Sequence, residues 1–373
     1  MSNYNFFDNL KIKSIHDFIP INDGYGFKRI DQTKIVNEGY ASNQDVYAVV
    51  TKLASICADM PIIVKNNGIE VTPQTDDFAN FFFNRWNGEA GSKQGLNALY
   101  TNLFLFGLAY DYTPMESIGF LPSEQWVLPT QRVEPVVSAS DSFFEKPIKY
   151  KFYDNAATQK YILPEELVII KYYDPTNYDN RNDGLSPLQS VWSTVEAENQ
   201  RGAAEASMLK NKGIAGFLSP EHSKESYGLI GKAADAARAV AKKLMGGADK
   251  FNTVEVIEQP VKYTPIGSNA TDMKIIEGRQ PHLRDICNAY GGVSSMLFND
   301  PSSRTHANYG EAKKSLYTDF VIPQTNLFID QYSRGLIERV NEATSSRYTL
   351  EIDLEAIEVL QADKDEPNTM SND

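Results

Sequence analysis

A long, polar helix predicted to begin near Ser186 is the feature that most constrains the fold of this chain. Ser186 can cap the helix, and Pro187 suits its first helical position because proline has no amide hydrogen that needs a partner there. The helical pattern continues to Gly213, and about 26 residues at about 1.5 Å each give a length of roughly 40 Å. The surface is rich in Ala, Glu, Gln and Asn, which is typical of a helix that packs lightly on its neighbours or lines a hydrated space.

A small insert follows this helix, and a second long helix returns from it. The insert spans residues 214–267, and its predicted elements are strands 214–218, 253–258 and 261–266 and an Ala-rich helix over 223–245. The second helix is predicted over 269–290 and ends at Gly291-Gly292, because glycine readily adopts the left-handed conformation that follows a helix. Two helices that flank an insert predict an antiparallel stalk with a knob at its tip.

The other segments predict a lobe that mixes helices with short strands. Residues 1–42 are irregular, and the patterns after them predict helices over 42–60 and 92–110, a hairpin of 62–65 with 69–72, and strands 125–128, 148–152 and 167–170. A loop rich in Gly, Ser, Asn and Pro, residues 293–307, precedes a third long helix over 308–343, in which Pro323 predicts a kink. The whole pattern predicts an α+β fold.

The charge of the chain argues against tight binding of nucleic acid. Lys and Arg number 36 against 49 Asp and Glu, which gives a net charge of -13. A chain of this balance cannot neutralise many phosphates. Residues 351–373 hold eight of the acids and one base, Lys364, so that this segment alone has a net charge of -7 and is expected to be a solvated end.

The sequence lacks the patterns of several other protein classes. Apolar residues form 42% of the chain and the mean hydropathy is -0.40. No apolar run approaches the roughly 20 residues of a membrane span, and the N-terminus does not read as a secretion signal. The two cysteines, Cys57 and Cys287, exclude a disulfide framework or a cysteine zinc site and suit a reducing compartment.

Catalytic motifs are equally hard to find. The four histidines show no metal-ligand spacing, and Gly228-Leu-Ile-Gly-Lys232 lacks the four-residue gap and the final Ser or Thr of a phosphate loop. Glu165-Glu166 follows Pro164 and is interpreted as an exposed turn. These patterns predict that the chain is not an enzyme and holds no metal or cofactor.

Four motifs follow one another along the chain. They are NQDVYAVVTKLASICADMP at 43–61, DGLSPL at 183–188 with the long helix and NKG at 211–213, RDICNAYGGV at 284–293, and NYGEA at 308–312 leading to Tyr317 and Pro323. In this order they resemble the portal proteins, or head–tail connectors, of tailed double-stranded DNA bacteriophages. Two departures are that Ser294 stands where the family usually has proline, and that Pro281 interrupts a usually continuous stem helix.

The resemblance implies a ring-forming portal fold with named parts. Residues 1–185 would be the N-terminal part of a mixed α/β wing, 186–213 and 268–292 the two stem helices, and 214–267 the small α/β clip. Residues 293–307 would be the tunnel loop, 308–345 the long kinked wing helix, and 346–373 a short acidic, crown-like tail.

The implied function is a channel at one capsid vertex through which phage DNA is packaged and ejected. The resemblance implies a ring, expected to be a dodecamer, assembled in the host cytoplasm and incorporated into the virion. Its implied partners are the terminase large subunit, then a head–tail adaptor, together with major capsid and scaffold proteins. Double-stranded DNA would pass without sequence-specific contacts, no membrane would be involved, and the motor ATPase would be a separate protein.

Two groups of residues are candidate sites on this interpretation. The clip would dock the motor and later the adaptor, with Lys232, Arg238, Lys242 and Lys243 as its candidate contacts. The tunnel loop would touch DNA, with the candidates Ser294, Ser295, Asn299, Ser302, Ser303, Arg304 and His306. An alternative for Arg304 is an ion pair with Asp300 that caps the next helix.

Two other functions stay open at this point. The chain could be a different ring-forming head–tail structural protein, such as a tail adaptor, or a nuclease or protease whose catalytic residues are scattered along the sequence. The mass in solution separates a ring from a hydrolase, because a typical hydrolase is a small oligomer.

Overall fold

The computed structural model describes residues 30–87, 91–114, 121–122, 124–137, 147–155, 158–175, 184–210, 216–220, 261–265, 279–298 and 306–361. All of the elements lie in the larger of two compact units, Gln32–Asp373; of the other, Met1–Asp31, only residues 30 and 31 are described.

The helices are numbered in chain order. They are α1 (α-helical Gln32–Lys34, then π-helical Ile35–Tyr40), α2 (Gln44–Ala58), α3 (Asp77–Asn84), α4 (Ser92–Phe106), α5 (Trp192–Lys210, after a 3-10 turn at Pro187–Val191) and α6 (Arg279–Ala289). The long helix α7 runs through the successive stretches His306–Ser315, Leu316–Val321, Ile322–Tyr332, Ser333–Ile337 and Glu338–Thr344, and the short α8 is Glu358–Gln361.

The strands of the described residues form four antiparallel sheets. They are β1 (Ile62–Asn66), β2 (Ile69–Val71), β3 (Leu108–Tyr112), β4 (Trp126–Leu128), β5 (Val133–Val137), β6 (Pro147–Asn155), β7 (Thr158–Ile162), β8 (Leu167–Lys171), β9 (Gly216–Pro220), β10 (Val261–Pro265) and β11 (Tyr348–Ile352). The strand orders within the sheets are β11-β1-β2, β4-β3-β8, β5-β6-β7 and β10-β9. This mixture of helices with antiparallel sheets confirms the predicted α+β class.

Helix α2 forms where its sequence predicted and supplies one side of the core. The Asn43 side chain accepts hydrogen bonds from the amides of Asp45 and Val46 at 3.1 and 2.9 Å, which satisfies two of the donors left free at a helix start. The apolar stripe is fully buried: Val46, Val49, Val50 and Leu53 are all 0% exposed. The predicted hairpin after it is also confirmed as β1 and β2.

The acidic C-terminal segment is not wholly a solvated end. Tyr348, Leu350 and Ile352 alternate with polar residues, which is the two-residue period of a strand. They form β11, which pairs with β1 in the register Val64↔Leu350 and adds an edge to that sheet. The prediction of a tail from 346 onward is therefore wrong for this strand, while residues 362–373 lie outside the described residues.

Helix α4 is shorter than its apolar run predicted. It ends at Phe106, and Gly107 adopts a left-handed conformation with φ +71° from which its amide bonds to Leu103 at 2.8 Å. The chain then enters β3, so the helix predicted to reach residue 110 gives way to a strand. The apolar run from Phe104 to Tyr110 suits a buried helix and a buried strand equally well, and only the glycine separates the two.

Two of the sheets pack face to face and form the core of the wing-like lobe. Sheet β4-β3-β8 supplies Leu108, Tyr110, Leu128 and Leu167, and sheet β5-β6-β7 supplies Val133, Tyr150 and Ile162. The rings of Tyr110 and Tyr150 meet edge to face at 5.9 Å between centroids. The three strands predicted in this region are confirmed as β4, β6 and β8.

Helix α7 covers the opposite face of sheet β4-β3-β8. Gly335 lies so close to Val168 that an added Cβ would stand 2.8 Å from the valine Cγ1, so the helix backbone approaches the strand directly. A π-helical stretch, Leu316–Val321, immediately precedes Pro323. Proline cannot donate the hydrogen bond that would continue the ladder, which accounts for an irregular turn at this point; the kink itself stays a prediction.

Candidate functional site: the two-helix stalk and the turn after it

Helices α5 and α6 form an antiparallel pair that starts and ends at one place on the body of the protein. Ser186, at the entry to α5, donates through its Oγ to the carbonyl of Leu105 at 2.5 Å. Tyr290, just after α6, donates through its hydroxyl to the carbonyl of Phe104 at 3.0 Å. Because the entry and the exit touch neighbouring residues at the end of α4, the chain leaves along α5 and returns along α6.

The N-cap of α2 also fixes the position of α5. The Asn43 side chain is 3% exposed, and its amide donates to Glu198 Oε2 at 2.8 Å and to Asn199 Oδ1 at 3.1 Å. Asn199 in turn donates to the carbonyl of Glu38 at 2.6 Å. One asparagine thus caps α2 and also contacts α5, so it is one of the side chains that hold the stalk against α2.

An ion pair holds the beginning of α5 against α1. Lys34 donates to Glu196, and its ammonium lies 5.5 Å from the centre of the Trp192 ring. The Trp192 indole donates to the same carboxylate at 2.9 Å. The hydrogen bond from Lys34 lowers the pKa of Glu196, and the matching bond raises the pKa of Lys34, so both groups stay charged near neutral pH.

An arginine and a histidine join the two stalk helices. Arg201 of α5 places its Nη1 and Nη2 at 3.4 and 3.2 Å from Nδ1 and Nε2 of His282 on α6. Burial and the neighbouring guanidinium lower the pKa of His282, against the opposing pull of Asp285 and Asp45. The neutral imidazole is therefore favoured, and it can lie against a cation.

The outer half of α5 borders a polar groove, which we call the α5 groove. It has a volume of about 760 Å³, and its lining is Glu38, Ser42, Asn43, Gln44, Glu198, Asn199, Gln200, Arg201, Gly202, Ala203 and Glu205. No residue of α5 from 196 to 206 is buried. A helix with this little covered surface gains little of its stability from its own subunit.

The start of the predicted tunnel loop is an anchored turn rather than a free loop. Gly291 and Gly292 have φ +79° and +80° and end α6 as the sequence predicted. After them, residues 295–298 form a 3-10 turn in which Leu297 is 5% exposed. Lys52 of α2 donates to the carbonyl of Leu297 and lies 5.1 Å from the Phe298 ring centre. The apolar side chains of Leu297 and Phe298 therefore anchor this segment to the body of the protein.

The structure describes few of the sequence-predicted site residues. Ser294 and Ser295 are half-buried in the anchored turn, and the Ser294 carbonyl accepts from the amide of Leu297 at 3.1 Å. His306 begins α7, but its side chain lies outside the described residues, together with Asn299, Ser302, Ser303, Arg304 and the clip candidates Lys232, Arg238, Lys242 and Lys243. Strands β9 and β10, which bracket most of the insert, pair antiparallel with Leu218 opposite Tyr263.

Sequence reasoning missed most of the contacts that position the stalk. It did not identify Asn43 as a contact of α5, His282 as a neighbour of Arg201, or Lys52 as a contact of the turn after α6. The capping position was a usable signal for Asn43, since the residue lies directly before an apolar helical stripe. No local pattern indicates that Lys52 reaches a turn 245 residues later in the chain.

A buried polar cluster lies between the sheet and α7, away from the stalk. Both carboxylate oxygens of Asp111 are buried without a hydrogen-bond partner among the described residues, and so is Nε2 of Gln125. Burial raises the pKa of Asp111 to about 8, although the positive charge of Arg339 acts in the opposite direction. Tyr332 donates to Gln125 Oε1 at 2.8 Å, and Arg339 donates to Thr113 Oγ1 at 3.4 Å.

Within the described ranges, no group of three or more His, Cys, Asp or Glu side chains is arranged to hold a metal ion. No helix there is both long and apolar enough to cross a membrane. Both cysteines are buried thiols inside helices, and burial raises the pKa of Cys57.

The fold and the stalk define an α+β protein in which a two-helix stalk with a paired-strand insert leaves a body of packed sheets. The chain belongs to the phage portal protein family, whose sequence profile matches residues 44–370. As a member of this family it is a portal protein, a subunit of the head–tail connector channel. No curated protein matches the sequence.

Solved structures share the fold at low sequence identity. The neck of an empty gene transfer agent (GTA) particle, computed with C6 symmetry, aligns with a TM-score of 0.65 and 22% identity over 91% of this chain and 88% of its own. The neck of the native particle, computed with C12 symmetry, aligns with a TM-score of 0.63 and 21% identity over 96% of this chain and 97% of its own. An HK97-family phage portal protein from Corynebacterium diphtheriae aligns with a TM-score of 0.56 and 14% identity over 89% of this chain and 98% of its own. At these identities the similarity defines the fold alone.

Proposed function

We propose that twelve copies of this chain form a ring at one vertex of a capsid, with a central channel through which double-stranded DNA is packaged and ejected. The observation that carries the proposal is the antiparallel stalk, which leaves and re-enters the body at Phe104 and Leu105. A stalk of this kind, repeated around an axis, makes a tube of paired helices. The gene transfer agent neck computed with C12 symmetry has a similar fold.

The parts of the portal are assigned as the sequence predicted, with one change. Residues 1–185 are the N-terminal part of the wing, 186–213 and 268–292 the stem, 214–267 the clip, and 308–345 the wing helix. The change concerns the tail, because β11 belongs to a sheet with β1 and extends the wing. In the tunnel loop, 293–307, Leu297 and Phe298 contact Lys52 of α2 and hold the start of the loop on the body of the protein.

The net charge suits the passage of DNA without specific binding. A chain with a net charge of -13 makes a strongly acidic ring, which repels phosphates and lets DNA slide. Arg304 and His306 would supply weak phosphate contacts, alongside the hydroxyl and amide groups of Ser294, Ser295, Asn299, Ser302 and Ser303. Such contacts retard slippage and still permit transport.

The partners follow from the same assignment. We propose that the clip, through Lys232, Arg238, Lys242 and Lys243, docks the terminase large subunit first and a head–tail adaptor later. The ring would assemble in the host cytoplasm with capsid and scaffold proteins and remain in the virion. The role is structural, with no cofactor and no catalytic step in this chain, and a separate motor protein hydrolyses ATP.

Electron microscopy of the purified full-length protein, together with its mass in solution, tests the proposal. We expect channelled rings and a mass of about twelve times 41.8 kDa. A monomer or a small oligomer at all protein concentrations would contradict the ring and favour a hydrolase with a scattered site. A ring whose Arg304→Ala variant retains DNA in filled heads as well as wild type at every salt concentration would contradict the DNA contact alone.

A further inference from the structure

Among the described residues, the helices α5 and α7 each have a stretch of eight or more residues in which none is buried. One is residues 196–206 of α5, and the other is residues 308–315 in the first stretch of α7. Every side chain in these two ranges is half-buried or exposed. Because a short helix is marginal in water unless another surface packs on it, both surfaces favour a partner outside the single chain.

The two uncovered surfaces differ in charge. The α5 groove is lined by Glu38, Glu198 and Glu205 against one base, Arg201. The first stretch of α7 carries Lys313 and Lys314 in its last turn, against one acid, Glu311. An acidic surface cannot pair with its own copy around a twofold axis, because like charges would face each other.

Small residues allow both helices to be approached closely. On α5 the groove includes Gly202 and Ala203, and on α7 Gly310 lies in the uncovered range. A Cβ added at Gly202 or at Gly310 would meet no heavy atom of the described residues within 4 Å. Each surface therefore has room for another helix or side chain next to its backbone.

We propose that the α5 groove receives the Lys313–Lys314 turn of α7 from a neighbouring copy of this chain. The inference rests on the proposed ring, in which every contact joins two different surfaces of the same protein. The acidic groove and the basic turn are two such surfaces, and both are uncovered.

Glu205 and Lys313 are the pair best suited to a test. Both are exposed, and neither has an ion pair or side-chain hydrogen bond within the described residues. Reversing either charge therefore removes no ion pair or side-chain hydrogen bond among the described residues. Far-ultraviolet circular dichroism and the melting temperature of each variant confirm that the subunit still folds.

The experiment is a charge exchange in the full-length chain, with ring formation followed by mass photometry over a range of protein concentrations. Glu205→Lys or Lys313→Glu alone should raise the concentration needed for half-assembly by about tenfold or more, because each ring repeats the like-charge contact at every interface. The double variant should restore assembly toward wild type. Glu70→Lys on β2 and Glu342→Lys in α7 reverse exposed acids elsewhere and should leave assembly unchanged.

A second variant tests the packing without a change of charge. Gly202→Leu fills the space beside α5, so it should block assembly while the subunit keeps its helical content. Rings that form normally with both Glu205→Lys and Gly202→Leu overturn the inference and leave the ring itself intact. Failure of the double charge exchange to rescue also overturns it, whereas a wild-type chain that forms no ring contradicts the proposed function.

Discussion

The side-chain amide of Gln331 forms two hydrogen bonds with the backbone of Lys171. The amide of Lys171 donates to Gln331 Oε1 at 2.7 Å, and Gln331 Nε2 donates to the Lys171 carbonyl at 2.9 Å. Lys171 ends β8, the edge strand of sheet β4-β3-β8. The glutamine therefore takes the place of a neighbouring strand at the last residue of β8, and it ties α7 to the sheet.

Replacing Gln331 with leucine should lower the free energy of unfolding by about 1–3 kcal/mol, because both backbone groups of Lys171 lose their partner. Urea denaturation followed by circular dichroism measures the change. Gln159→Leu, on the exposed strand β7, is the matched control and should change stability by less than about 0.5 kcal/mol. Equal stability of the two variants would contradict a role for the amide in docking α7.

Gly107→Ala should prevent normal folding. The alanine would have to hold φ +71°, and its Cβ would overlap the backbone of Leu185. The strain of the left-handed conformation and the backbone clash together should lower the free energy of unfolding by about 3 kcal/mol or more. Soluble yield and melting temperature report the loss.

The control for this change is Gly91→Ala. Gly91 has φ -77°, and a Cβ there would meet nothing within 4 Å. Gly91→Ala should lower the free energy of unfolding by about 1 kcal/mol or less, because alanine is a weaker N-cap than glycine. A Gly107→Ala protein that melts at the same temperature as the control would refute the backbone contact.

Two substitutions of Asn43 separate its two roles. Asn43→Ala removes the cap of α2 and should lower the free energy of unfolding by about 0.5–2 kcal/mol. Asn43→Asp keeps an oxygen that can accept from the Asp45 and Val46 amides, but it places a carboxylate against Glu198. Hydrogen exchange should therefore show faster exchange of α5 with Asn43→Asp and little change in α2. Equal protection of α5 in wild type and Asn43→Asp would show that the stalk does not depend on this contact.

Because the carboxyl of Asp111 is buried, we expect the free energy of unfolding to fall as the pH rises. Burial raises its pKa from 3.8 to about 8, so the folded state holds a proton that the unfolded state releases. The stabilising contribution is complete below the unfolded pKa and is lost progressively as the pH rises through about 8. Asp111→Asn keeps the shape without the titration, so its stability should depend less on pH between about 4 and 8. Parallel pH profiles for the two proteins would contradict a protonated Asp111.

Local sequence signals predicted the elements whose first or last residues include a recognisable capping or stop residue. The cap at Asn43, the Ser186-Pro187 start and the Gly291-Gly292 stop each act within a few residues, so α2, α5 and the end of α6 were predictable. Strand β11 was missed because its partner, β1, lies almost the whole chain away and its acidic residues resemble a solvated tail. The boundary between α4 and β3 was missed because apolar residues alone do not distinguish a buried helix from a buried strand.

The candidate site likewise has parts that short motifs predict and contacts that they do not. The resemblance to portal proteins depends on short motifs at element boundaries, and it predicted the stem, the clip and the tunnel loop as units. The contacts of Lys52 with Leu297 and of Arg201 with His282 join elements that are distant in the sequence. Only the folded chain brings these residues together, so no spacing could have indicated them.

The close approach of Gly107 and Gly184 has a mechanical consequence. A Cβ on Gly184 would overlap the Gly107 carbonyl, so at this point two backbone segments touch with no side chain between them. Side chains can change rotamer under load and absorb displacement, whereas a direct contact between main chains cannot. A force applied to the far end of the stalk therefore reaches the start of β3 with little loss. The base of the stalk is therefore a stiff joint, and a displacement of the stalk moves the sheets of the lobe with it.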